Sequence, residues 1–179
     1  SSNLTNFPVL VHLTSSNFSF GYAQADGGDL RFIDADNTTV LDYEIERWTP
    51  SEAWVWVKVP LLTGNSTSDH IWIYWNNANA ANGWNPQGVW DANFVLVDHM
   101  VDNPDNGHTR DSTNNSNNGT KAAANQPLET VSKVGKGHAF NGTSSMYIQS
   151  GNNSSLNPIS GLTIETFAKR SGNGTYAWP

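Results

Sequence analysis

Glu52–Pro60 reads EAWVWVKVP, and its alternation decides the fold. Successive side chains on a strand point to opposite faces, so Trp54, Trp56 and Lys58 share one face and Val55, Val57 and Val59 the other. His70–Trp75, HIWIYW, repeats the pattern with Ile71, Ile73 and Trp75 set against Trp72 and Tyr74, which makes both of its faces apolar. If the valines line a core, Trp54 and Trp56 look outward, where rings can stack on sugars. Aromatic side chains also bury large areas, and here they stand in for scarce Leu and Met. Packing between sheets or domains is the expectation for these rings, with a sugar platform at Trp54, Trp56 and Trp84 as its rival.

Outward from that stretch the first half of the chain is a series of short strands. Phe7–Thr14, Asp29–Ala35, Val40–Trp48, Glu52–Pro60 and His70–Trp75 are β-branched and aromatic, separated by the turn-forming clusters ADGGD, DADNTT and TGNSTSD. Helical periodicity is missing almost everywhere, so the fold class expected is all-β, a β-sandwich first. Residues 81–90, within the Gly- and Pro-punctuated run NNANAANGWNPQGVW, read as a linker. A further strand at ANFVLVDHM follows, then a long Asn-rich stretch from Val101 to Thr120, then the apolar runs GHAFNG, SMYIQSG and LTIETFAK. A structureless loop near twenty residues is uncommon in a compact domain, so Val101–Thr120 is expected to be functional or an excursion between sheets.

Composition narrows the function. The chain has 179 residues, 14% of them charged, a net charge of -7 and nine Lys and Arg scattered without a patch. Nucleic acid and anionic membrane are therefore poor partners. No apolar run approaches a membrane span. Cysteine is absent, which excludes a disulfide scaffold and a thiolate nucleophile. The chain opens on Ser1 with no signal peptide visible, as mature or trimmed boundaries would.

The low charge is made up by Asn, Ser, Thr and Gly, and Asn-x-Ser/Thr acceptors recur at Asn3, Asn17, Asn37, Asn65, Asn114, Asn118, Asn141, Asn152, Asn153 and Asn173. With 23 Asn and 33 Ser plus Thr, chance supplies about four such triplets. The excess points to a secreted or surface-displayed chain sheathed in N-linked glycan, which would keep a surface with few charges soluble. A loop composition rich in Asn and Thr is the plainer source of the same triplets.

Three chemical candidates follow. Asp42, Glu44 and Glu46 in LDYEIE alternate, placing three carboxylates on one strand face about 6.6 Å apart. That is near the ~5–5.5 Å of a retaining glycosidase. The order differs from the glucanase E-x-D-x-x-E pattern, and a charged row guarding an edge is the stronger reading, so no catalytic residues are expected. Asp102, Asp105 and Asp111 lie in the Asn-rich stretch, where oxygen donors could bind structural Ca2+, with Asp111 the best single ligand. His12, His70, His99, His108 and His138 are dispersed, without metal-ligand spacing, and neither a nucleophile elbow nor a phosphate loop occurs.

FPVLVHLT, DLRFIDADNTTVLDYEIERWTPSEAWVWVKVPLLT and IWIYWNNANA together resemble a bacterial and archaeal domain family of unknown function found in large extracellular proteins. VWDANFVLVDHM, DSTNNSNNGT, VGKGHAFNGTSSMYIQ and LTIETFAK are similar to the opening half of the laminin-G-type, concanavalin-like jelly roll that often follows it. The resemblance implies residues 1–80 as a β-sandwich domain, 81–90 as linker and 91–179 as an incomplete jelly roll. A glutamate such as Glu165 is common there without catalytic role. It also implies a non-catalytic structural or adhesive module of a surface layer, fibre or large adhesin, self-associating or contacting neighbouring modules, with strand exchange as one route to assembly. The alternative is a carbohydrate-binding module of a polysaccharide-degrading enzyme.

Overall fold

The structure, a computed structural model, describes residues 2–143 and 145–170. It is all-β. β1 (Leu4–Thr14), β4 (Tyr43–Trp48) and β5 (Glu52–Leu62) form an antiparallel sheet in the order β1-β5-β4. A second antiparallel sheet has the order β3-β2-β6, from β2 (Arg31–Ile33), β3 (Val40–Leu41) and β6 (Trp72–Tyr74). The register pairs Val9 with Val57, Val11 with Val55 and Leu13 with Ala53, so one face of the first sheet is continuously apolar. Ala53, Val55 and Val57 are fully buried there, and Leu30, Phe32, Leu41 and Tyr43 complete the core. The expected split of β5 into a valine face and a tryptophan face holds.

β6 departs from expectation. Ile71, Ile73 and Trp75 pack on the core, but Trp72 and Tyr74 on the other face are about half exposed, at 46% and 48%. An apolar side chain on both faces does not require two covered faces when the strand lies at a sheet edge.

The Asp29-Leu30-Arg31 segment fastens the next stretch of chain. Asp29 Oδ2 accepts the backbone N–H groups of Asn76 and Asn77 at 2.9 and 3.1 Å, and Arg31 donates to the carbonyl of Ala81 at 2.6 Å. The chain then runs through the single helical turn α1 (Pro86–Val89), with Val89 and Trp90 buried. Residues 84–90 thus lie against the first sheet, and Lys58 Nζ donates to the carbonyl of Gly88.

Beyond it, β7 (Asp98–Asp102), β8 (His108–Asp111), β9 (Gly119–Lys121) and β12 (Ile148–Gln149) form a four-stranded antiparallel sheet in the order β12-β9-β8-β7. β10 (Leu128–Val131) and β11 (Lys136–Ala139) make a hairpin. The stretch Val101–Thr120 is therefore not a single loop: it contains all of β8. His-Thr-Arg-Asp carries no apolar alternation, so its strand character comes from pairing with β7 and β9 rather than from side-chain pattern. LTIETFAK is exposed at Leu162, Ile164 and Phe167, and none of the strands among the described residues includes it.

Candidate functional site

The tryptophan face of β5 is where the two halves meet. Glu44 pairs with Trp56 across β4 and β5, and the register then shifts between Ile45 and Arg47, a bulge that absorbs Glu46. Bulges re-aim side chains. Here the bulge leaves both glutamates on the side facing β7. His99 of β7 sits between them: Nε2 meets Glu44 Oε2 at 3.0 Å, and Nδ1 meets Glu46 Oε2 in a second, closer contact. Trp90 Nε1 donates to Glu44 Oε2 at 2.8 Å, Ser112 Oγ to Glu44 Oε1 at 2.5 Å, and Trp56 Nε1 to Glu46 Oε2 at 3.1 Å. The side chains of Glu44, Glu46 and His99 are 9%, 4% and 14% exposed.

Electrostatics fix the protonation of this cluster. Burial on its own pushes the His99 pKa down, but hydrogen bonds and charge from Glu44 and Glu46 overcome it and raise the value to about 10. Burial likewise works to raise Glu44, and the His99 bond and charge, with the Ser112 hydroxyl and Trp90 indole, hold it below the usual carboxylate range. At neutral pH the site is an imidazolium donating from both nitrogens to two carboxylates, a buried cluster of net charge -1. The carboxylates bracket a histidine at the edge of a cavity, with Glu44 held in its ionised form.

A cavity of about 270 Å³ adjoins the cluster, lined in part by Trp84, Asn103 and Arg110 together with Glu44, Glu46 and His99. Trp84 is 37% exposed. The other two tryptophans do not join it in an open row. Trp56 packs against Trp90 with ring centroids 5.4 Å apart, and Trp54 lies flat on His12 at 3.6 Å. Within residues 2–90 the rings most open to solvent are Tyr22, Trp72 and Tyr74; Tyr22 and Tyr74 border a shallow depression of about 390 Å³ on the β6 side.

Asp111 is only 3% exposed and organises its own loop. Oδ1 accepts the N–H groups of Val97 and Thr113, and Oδ2 accepts the Thr113 hydroxyl and the Asn117 N–H. Four donors at 2.8–3.0 Å thus occupy the carboxylate expected to ligate calcium. Among the described residues no group of three or more His, Cys, Asp or Glu is placed to hold a metal ion. No helix among them is long and apolar enough to cross a membrane.

The acceptor asparagines Asn3, Asn17, Asn37, Asn65, Asn114, Asn118, Asn141, Asn152 and Asn153 are all exposed; Asn173 lies outside the described residues. Asn37 and Asn65 adopt positive φ, 57° and 63°, at turns. In Asn3, Asn37 and Asn118 the side-chain oxygen accepts a bond, which leaves the nitrogen, the atom a glycan would take, turned away from that contact.

Residues 26–113 match the family model described as Domain of unknown function (DUF2341). The match runs from just before Asp29 and Arg31 to just after Ser112, and so takes in every residue of the Glu44–His99–Glu46 cluster. No curated protein and no solved structure matches the chain.

His99, Trp90 and Ser112 are the residues that sequence reasoning missed. A lone histidine without ligand spacing carries no signal, and the contact spans 55 residues. The alternating glutamates of β4 were visible, but not what they hold.

Proposed function

We propose that this chain is a non-catalytic structural module of an extracellular protein, a piece of a surface layer, fibre or adhesin coated with N-linked glycan. The observation that carries this reading is the use of Glu44 and Glu46, its two best-placed candidate acids, to grip His99 in the interior. A catalytic pair needs its carboxyls directed at a substrate, with one holding a proton near neutral pH. A buried carboxylate–imidazolium–carboxylate cluster is instead a joint between the β4–β5 face and the strands of the second half. The exposure of the described acceptor asparagines supports the glycan coat. Residues 91–179 fit the opening of a concanavalin-like jelly roll by their sequence motifs, and the exposed apolar run at Leu162–Phe167 suits strand exchange with a neighbouring module.

The test pairs activity with mass. Glu44→Gln and Glu46→Gln should lower stability and leave no hydrolytic activity to lose on β-glucan, xylan or chitin substrates. The chain from its native source should exceed 19.6 kDa by multiples of hexose-sized units. Turnover of a polysaccharide abolished by Glu44→Gln would overturn the structural reading, and the bare polypeptide mass would remove the glycan.

A second reading, a carbohydrate-binding module, is favoured by one observation: Tyr22 and Tyr74 flank an open depression beside Asn76. Exposed rings with an adjacent amide are what sugar stacking uses. Quenching of fluorescence by an oligosaccharide, lost in Tyr74→Ala and kept in Trp54→Ala, would place binding there.

A further inference from the structure

The second half holds another buried charged group, remote in sequence from Glu44. Asp102 ends β7, Lys121 ends β9, and His138 lies on β11. Lys121 Nζ and His138 Nε2 both contact the same atom, Asp102 Oδ1, the histidine at 2.8 Å. The Lys121 and His138 side chains are 1% and 0% exposed, and that of Asp102 is 22%. β8 lies between β7 and β9, so the Lys121–Asp102 contact spans a whole strand. Glu129 accepts the Asp102 N–H at 2.9 Å but is already paired with Lys136.

Two features are odd for a simple ion pair. An ammonium has three protons to place, yet Asp102 Oδ1 is the one acceptor of Lys121 Nζ among the described residues. His138 Nδ1 is buried without a partner. Two buried bases converge on one oxygen, and the desolvation cost of a buried ammonium is only partly offset. Removing both charges by condensation would relieve that cost.

We infer that Lys121 and Asp102 are joined in the folded chain by an intramolecular isopeptide bond that ties β7 to β9 across β8. At rest the pair is ionic: burial raises the Asp102 pKa, and bonds and charge from Lys121 and His138 lower it further than burial raises it. The reaction begins when a proton passes from Nζ to the carboxylate, giving an amine and a carboxylic acid. Burial of Lys121 lowers the cost of that neutral pair relative to water. Nζ then attacks Cγ of Asp102. His138 Nε2–H gives its proton to the departing Oδ1 hydroxyl, and the emptied Nε2 takes the surplus proton from nitrogen; the Cγ–Oδ1 bond breaks and water departs. The unpartnered Nδ1 leaves no bond that would fix the ring in the wrong tautomer for this relay. Ammonium plus carboxylate becomes amide plus water, with no oxidant or cofactor. Fixed contact supplies the effective concentration that the same reaction lacks in solution.

The bond stands or falls apart from the structural function proposed above, since a bare, unglycosylated chain could carry it equally. The wild-type chain, folded and then denatured, is digested with trypsin, which cuts after Arg110 between the two residues, and read by mass spectrometry. The expected result is a branched species that joins the Asp102 and Lys121 peptides at one water less than their sum, with no cleavage after Lys121. Lys121→Arg should give two linear peptides under the same digest. Linear peptides and full cleavage after Lys121 in the wild type would overturn the inference, and because that reading needs no variant, misfolding of Lys121→Arg cannot obscure it.

Discussion

The two halves of this chain are buried by different means. Residues 13–59 supply Leu13, Phe18, Leu30, Phe32, Leu41, Tyr43, Ala53, Val55, Val57 and Val59 to the interior, whereas among the described residues beyond 60 the buried apolar side chains are Val89, Trp90, Ala122 and Pro127. In their place the later half buries Thr109, Asp111, Ser112, Thr113, Asn117 and Lys121. The first region is held by apolar area, which is non-directional and insensitive to pH. The second is held by polar networks, in which each lost partner leaves another group stranded. Glu44–His99–Glu46 is the seam between the two kinds of interior.

That contrast can be broken by mutation. His99→Ala should have the largest effect: it strands two buried carboxylates, at a cost of about 3–5 kcal/mol by denaturant unfolding. Asp111→Asn comes next, since an amide nitrogen cannot accept the bonds that reach Oδ2 from Thr113 and Asn117; a loss of about 2–3 kcal/mol is expected. Val57→Ala, in the apolar region, should cost about 2 kcal/mol through its cavity. It should shift the midpoint equally at every pH, and a pH-dependent Val57→Ala effect would blur the distinction between the halves. Gly135→Ala is expected to cost about 1–3 kcal/mol. Gly135 has φ +61°, and a Cβ there would meet Glu46 Oε1 at 2.0 Å. EDTA should leave the melting temperature unchanged, because Asp111 already accepts four hydrogen bonds.

The pH profile sharpens the same comparison. A histidine whose folded pKa is raised stabilises the fold fully below its ordinary value near 6.5. That contribution declines as pH rises and is gone above about 10. Glu44, lowered in the fold, contributes above its ordinary value of 4.5 and loses that contribution as pH falls through its folded value. Wild-type stability should therefore form a plateau with two falling flanks, and His99→Ala should flatten the alkaline one.

How much of this could be read from sequence follows the same division. Alternation in EAWVWVKVP announced β5, its buried face and the all-β class, because a half-buried strand writes period two into the chain. HTRD wrote nothing of the kind, and β8 was hidden in what looked like loop. Glu44 and Glu46 were conspicuous as an acidic row, but whether they faced water, substrate or a histidine depended on His99, Trp90 and Ser112 arriving from far along the chain. Asp111 stood out as an oxygen donor in an irregular loop; that backbone amides and a hydroxyl converge on its carboxylate depends on residues 97–117 folding around it. Long-range polar pairing leaves no period in a sequence.

The most direct measurement is an NMR titration of the His99 ring in the intact chain. The expected result is an imidazolium with both ring protons present through neutral pH and a transition near pH 10. A ring that is neutral at pH 8, or that titrates between 6 and 7 as an ordinary histidine does, would contradict it.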